Sequence, residues 1–222
     1  MRAIVLVSGG MDSACVAAIA RNEASELAFL HVTYGQNTAQ KERAMFLDLC
    51  DFYKIPDPYR LIVDISFLRD IGGSSLTDKS IAVSKFTGDS DQIPSSYVPF
   101  RNTHIIASAV SWAEVISADT IFIGANEEDS PGYPDCRPSY YQAYNQLLKE
   151  GTKEGKIKIK TPIIHMTKAQ IIEKALELKA PLEKTWSCYQ SNTLACGICD
   201  SCALRLRGFK QLGIQDPISY QN

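Results

Sequence analysis

Two clusters of residues carry chemistry for which a hydrophobic core has no use. The first is Ser8-Gly9-Gly10-Met11-Asp12-Ser13, directly behind the apolar run of residues 3–7. Glycines at a strand–helix turn let the backbone approach a ligand with no side chain between them. The amides at the start of the following helix then point at that ligand, and the helix dipole favours negative charge there. The turn is therefore read as an anion cradle, with the hydroxyls of Ser8 and Ser13 as further donors. It matches neither the triphosphate loop G-x-x-x-x-G-K-S/T, whose lysine is missing here, nor the dinucleotide turn G-x-G-x-x-G. It holds an acid, Asp12, in place of that lysine.

The second cluster is Cys188-x7-Cys196-x2-Cys199-x2-Cys202, four thiols within fifteen residues. Four thiolates close a tetrahedral Zn²⁺ site with no open position, so the expected metal is structural. Gly197 lets the chain turn sharply between ligands. C-x2-C-x2-C also opens a bacterial ferredoxin run, but that run continues x3-C-P, whereas Cys202 leads into Ala203-Leu204-Arg205, so zinc is preferred over iron–sulfur. Cys15 and Cys50 fall inside helical patterns and are read as core fillers.

The middle of the chain holds two further polar stretches. VPFRN, residues 98–102, places Arg101 and Asn102 at a helix start. Residues 124–145 follow a strand end, where ligands bind in open α/β sheets. They bring Asn126, Glu127, Asp129, Tyr133, Asp135, Cys136 and Arg137 into a loop stiffened by prolines, a mixture unlike that of a solvated loop. His31, His104 and His165 are read as ordinary core or surface histidines.

S-G-G-x-D-S after an N-terminal strand resembles the pyrophosphate loop of the N-type ATP pyrophosphatase superfamily. SGGMDS, VPFRN, GYPDCRP, TPI with the downstream TKA, and the four-cysteine cluster together resemble the 7-cyano-7-deazaguanine synthase family of queuosine-precursor biosynthesis. These elements run in order from residue 8 to residue 202, nearly the whole chain. The resemblance implies a ligase that takes 7-carboxy-7-deazaguanine, ammonia and ATP to 7-cyano-7-deazaguanine by adenylylating a carboxylate and then an amide. The family's overall reaction is written with ADP and phosphate, whereas this loop type argues for AMP and pyrophosphate. The implied roles put ATP on Ser8, Gly9, Gly10, Met11, Asp12 and Ser13, with Mg²⁺ at Asp12. Arg101 would stabilise charge on the α-phosphate, and Lys168 would reach the phosphates. Asn102, Glu127, Tyr133, Asp135 and Arg137 would hold the substrate, with Tyr133 stacking on the base, Asp135 accepting from its N–H edge and Arg137 pairing with its carboxylate. Zinc would sit on Cys188, Cys196, Cys199 and Cys202, and a homodimer is expected.

The elements that must position these residues are visible in the periodicity. Residues 3–7, 27–32, 59–65, 120–124 and 156–160 read as strands. Residues 13–21, 40–53, 101–117 and 138–149 read as helices. Thr167-Lys168-Ala169-Gln170 is a capping box opening one more helix, which Pro181 ends. Alternating strands and helices predict a doubly wound, mostly parallel Rossmann-like sheet of the adenine nucleotide alpha-hydrolase type. Residues 66–99 show no such pattern and are expected to form a flexible cover over the site. One α/β domain over residues 1–222 is expected, with residues 185–210 as its zinc-binding subregion.

Composition limits the alternatives. The 222 residues carry a net charge of −2, which gives no broad basic field for nucleic acid, and 45% apolar residues suffice for a full core. No apolar run approaches the roughly 20 residues needed to cross a membrane. The start is too short in apolar residues for a secretory signal, and cysteines crowded into a metal-like spacing fit a reducing compartment, so a cytoplasmic protein is expected. A tRNA sulfur-transfer enzyme of the same superfamily would need a basic face and a sulfur-handling cysteine. A zinc-stabilised nucleotide-binding module without turnover would have no use for the dense polar loop.

Overall fold

The computed structural model describes residues 1–83, 93–127 and 133–221. Part of the expected cover over residues 66–99, and Asp129 of the polar loop, lie outside the described residues. Five parallel strands form one sheet: β1 (Arg2–Leu6), β2 (Glu26–Thr33), β3 (Arg60–Asp64), β4 (Thr120–Phe122) and β5 (Lys158–Lys160). Their order is β3-β2-β1-β4-β5. β1 pairs with β2 from Arg2↔Glu26 to Leu6↔Leu30, and with β4 from Ala3↔Thr120 to Val5↔Phe122. The chain moves outward one way through β2 and β3, returns, and continues the other way through β4 and β5. The strand order therefore reverses between β1 and β4, and a crevice opens at their carboxyl ends, where open α/β sheets bind ligands.

Helices cover both faces, so the central strand β1 is apolar and buried from Ala3 to Leu6, while the edge strands β3 and β5 carry charged residues. Alternation along β1 sends Ala3 and Val5 to one face and Ile4 and Leu6 to the other. The first face packs under α1 (Met11–Glu23), α2 (Ala39–Phe52) and α6 (Lys168–Glu177), burying Val16, Phe46, Leu49, Ile171 and Ile172. The second packs under α4 (Arg101–Ile116) and α5 (Pro138–Gly151), burying Ile106, Ala109, Ala113, Tyr141 and Leu148. α6 opens with the expected capping box: Thr167 accepts from the Gln170 amide, and the Gln170 side chain accepts from the Thr167 amide. Cys15 and Cys50 are fully buried, and burial pushes both thiols up to about 12, as core fillers require.

Two helices escaped the periodicity. α3 (Phe67–Ile71) is only five residues long. α7 (Asp200–Gln211) buries Leu204 and Phe209 but also Arg205, so its inner face reads as polar in the sequence. The described ends of the segment expected as a cover are tied down: Ser74 and Ser75 are fully buried, and the Ser75 amide donates to the Ser95 carbonyl at 2.9 Å. Among the described residues, no helix is long and apolar enough to cross a membrane.

His31 is a core residue with a consequence for stability. It is 1% exposed, its Nδ1–H donates to the Val7 carbonyl at 2.9 Å, and its ring stacks on Phe46 with centroids 5.2 Å apart. Burial holds its pKa below the ordinary 6.5. The unfolded chain therefore takes up a proton that the folded chain refuses, so this contribution is complete above pH 6.5 and is lost as the pH falls below it. The melting temperature should drop between about pH 7.5 and 5.5, and drop less in His31→Gln. Equal pH profiles for the two proteins would refute the assignment.

Candidate active site

The glycine turn lies between β1 and α1, at the reversal in strand order. Gly9 adopts φ +88°, a conformation that costs other residues about 1–2 kcal/mol. A Cβ there would also stand 2.7 Å from the Glu42 carbonyl oxygen. Gly9→Ala should therefore lower the melting temperature measurably, and an unchanged melting curve would contradict this packing. Gly10 caps α1, Ser13 Oγ donates to the Gly10 carbonyl at 2.9 Å, and the Gly10 amide donates to Ser8 Oγ at 3.2 Å. The turn is thus pre-shaped by its own hydroxyls.

Asp12 sits in the first turn of α1. Its Oδ2 accepts from Lys168 Nζ at 2.6 Å, and its Oδ1 is buried without a hydrogen-bond partner. Lys168 comes from the start of α6, where its side chain is 7% exposed, so the lysine expected at the phosphates is a buried group in this site. Arg101, at the start of α4, enters the same cavity. Its Nη1 donates to the Tyr34 hydroxyl at 3.2 Å, its guanidinium lies 5.0 Å from the Tyr34 ring centre, and its Nε has no partner. Burial opposes its charge, yet the surrounding Tyr34, Tyr133 and Asp135 outweigh that and hold its pKa above the ordinary value.

The cavity has a volume of about 260 Å³, and Ser8, Asp12, Ser13, Arg101, Tyr133 and Lys168 line it. Gly10, Met11 and Asn102 line it as well. Asn102 and Asp135 hold each other: the Asn102 amide donates to Asp135 Oδ2 at 3.1 Å and its Nδ2 donates to the Asp135 carbonyl at 3.0 Å. Asp135 thereby anchors the start of α4, while its Oδ1 stays buried and unpartnered, and the residue is not among those that line the cavity. Glu127 pairs with His165 at 2.7 Å, both partly exposed, and does not line the cavity among the described residues. Arg137 is exposed, caps α5 and is likewise outside it.

Sequence patterning missed Tyr34, Glu42, Trp186, Tyr189 and Arg205, which also line the cavity. Tyr34 could have been suspected, because it directly follows a strand end. Nothing local marks the others.

The four cysteines converge. The Sγ atoms of Cys188, Cys196, Cys199 and Cys202 all lie within 4.8 Å of one another, close to the roughly 3.8 Å edge of a tetrahedron with 2.3 Å metal–sulfur bonds. Backbone N–H groups of Gln190 and Cys196 point at Cys188 Sγ at 3.4 and 3.3 Å, and that of Cys199 at Cys196 Sγ at 3.4 Å. Donors aimed at sulfur stabilise thiolates. Gly197 makes the turn between ligands at φ +75°. The donor set therefore fits one metal ion.

Comparison with known proteins agrees with this architecture. The family model described as "Queuosine biosynthesis protein QueC" matches residues 2–213. The 7-cyano-7-deazaguanine synthases of Chloroherpeton thalassium and Chlorobaculum tepidum are each 54% identical to the whole chain and are covered over 97% of their own length. Among solved structures, the U34-tRNA thiolase NcsA from Methanococcus maripaludis with its 4Fe-4S cluster superposes with a TM-score of 0.51 at 14% identity, over 96% of this chain and 66% of that one. A 4-thiouridine synthetase bound to RNA and ATP gives 0.50 at 18% identity, over 81% of this chain and 41% of that one. At these identities the likeness to the solved structures is one of fold.

Proposed function

The chain belongs to the QueC family of queuosine biosynthesis, and on that premise we propose that it is an ATP-dependent ligase converting 7-carboxy-7-deazaguanine and ammonia into 7-cyano-7-deazaguanine. The observation that carries the chemistry is Asp12, with one oxygen on Lys168 and the other buried and unpartnered beside a helix-opening glycine turn. A buried carboxylate oxygen without a donor is costly unless a cation completes it. Mg²⁺ on that oxygen would offset the charge of the β- and γ-phosphates.

The turn then holds the part of ATP that leaves. A carboxylate is a poor electrophile because its oxygen cannot depart. Attack of that oxygen on the α-phosphorus breaks the bond to the β-phosphate and expels pyrophosphate, leaving an acyl adenylate. Ammonia attacks the acyl carbon, AMP departs, and the amide forms with loss of a proton. A second ATP then adenylylates the amide oxygen, with loss of a second pyrophosphate. Its departure as AMP, with loss of the remaining N–H protons, leaves the nitrile. Arg101, half-buried and cationic in the cavity, is placed to stabilise charge as it builds on the α-phosphate. Lys168 holds Asp12 in place and presents a second cation. We assign base stacking to Tyr133 and the base N–H edge to the unpartnered Asp135 Oδ1. Glu127, Asp135 and Arg137 are not among the described residues that line the cavity; Asp135 is hydrogen-bonded to Asn102, which does line it, and no role is assigned to Glu127 or Arg137. The metal on the four cysteines is assigned as zinc, because sulfurs this close surround one ion more readily than a multi-iron cage.

The test is incubation with ATP, Mg²⁺, ammonium and the deazaguanine acid, following phosphorus by NMR and the base by mass spectrometry. Nitrile with AMP and pyrophosphate is expected. Absence of nitrile would overturn the function, and ADP with phosphate as the sole nucleotide products would overturn the role given to the turn.

A further inference from the structure

Arg205 of α7 is the largest side chain with under 2% exposure. A guanidinium so deeply buried is costly unless every donor is satisfied, and here all are. Nε and Nη2 fork onto Asp216 at 2.7 and 2.9 Å, Nη1 donates to Thr185 Oγ1 at 2.8 Å and Ser187 Oγ at 3.3 Å, and Nη2 also donates to the Leu182 carbonyl at 3.3 Å. Arginine has five N–H donors. Arg205 lines the cavity yet has none left for a ligand. What it holds is the segment of residues 182–187. Between its two hydroxyl partners lies Trp186, whose backbone N–H donates to the Gly9 carbonyl at 2.8 Å. That carbonyl belongs to the anion turn. On its far side, Asp216 also accepts from the Tyr220 hydroxyl at 2.6 Å, which ties the C-terminal tail into the same network.

We propose that Arg205 is a positioning residue for nucleotide binding: through Thr185, Ser187 and Trp186 it sets the distance of the glycine turn from the rest of the cavity, and it anchors that distance to Asp216 and Tyr220. The inference rests on the reading of the turn as the ATP site. Arg205 stands three residues after Cys202, on the same face of α7, so the metal cluster and the nucleotide turn are joined by one helix.

Arg205→Lys keeps the charge and loses the fork. Binding of an ATP analogue with a methylene bridge between the α- and β-phosphates is measured at equilibrium for wild type and variant, together with bound metal, the melting temperature, and the KM values for ATP and for the acid. Affinity for the analogue should fall about tenfold, the KM for ATP should rise in step, and metal content and the KM for the acid should stay near wild type. Tyr220→Phe, a milder change in the same network, should move the same quantities in the same direction by less. It keeps the test open if the lysine variant fails to fold. Arg60→Met is the control: Arg60, the first residue of β3, pairs with Asp51 at 2.7 Å, so its loss should destabilise the fold without weakening binding of the analogue. Unchanged affinity in both network variants overturns the inference. So does a loss of affinity that merely tracks lost metal, or one that Arg60→Met reproduces at equal loss of stability. Failure of wild type to bind the analogue would overturn the ATP reading itself, and the inference with it.

Discussion

Asp12→Asn is expected to lower pyrophosphate release by about 10²–10³-fold while leaving the fold and bound metal intact. The amide keeps an oxygen for Lys168 Nζ, now 2.6 Å from Oδ2, so the contact between α1 and α6 survives. What disappears is the negative charge facing the phosphates. An amide oxygen is a far weaker ligand for Mg²⁺, a hard cation that favours carboxylates in phosphate sites. The measurement is single-turnover release of pyrophosphate at saturating ATP and acid, beside circular dichroism and metal analysis. Near-normal turnover in the folded variant would remove Asp12 from the chemistry, and with it the account of the turn.

Loss of the metal should have the second large effect, on stability first and on nucleotide binding through it. Cys199→Ser, or prolonged chelation, is expected to cost on the order of 5 kcal/mol, a fall in melting temperature of about 10–20 °C. Trp186, Cys188, Ala195, Cys199 and Cys202 form a small apolar cluster apart from the two main cores. A cluster of that size cannot order its segment without a crosslink. Because the Trp186 N–H holds the Gly9 carbonyl, disorder there should reach the turn and weaken ATP binding as well. A melting curve indifferent to chelation, with metal shown to be gone, would contradict both effects.

Much of this molecule was legible without coordinates, and the successes share a cause. Each of the five strands, the glycine turn and the start of α6 is a conformation set by near neighbours: an apolar run or an alternation, a residue pair free of Cβ, a capping box. The cysteine spacing is local in the same sense, since a 15-residue segment has few ways to bring four thiols together. α7 was illegible because its buried stripe includes Arg205, and a buried arginine reads as a solvent face until its four partner residues are seen.

From local pattern alone, then, the chain determined a parallel α/β sheet, a glycine turn with an acid in it and a cluster of four thiols able to hold a metal ion. Tertiary structure decided which side chains meet. Lys168 reaches Asp12 across 156 positions, and Arg101 meets Tyr34 across 67. Asp135 turns to the start of α4, while Arg137 faces solvent. These meetings follow from the strand order and from which face of the sheet each helix covers. That arrangement is fixed by the packing of the whole core, and hydrophobic periodicity, which records only that a residue faces inward, does not say against what.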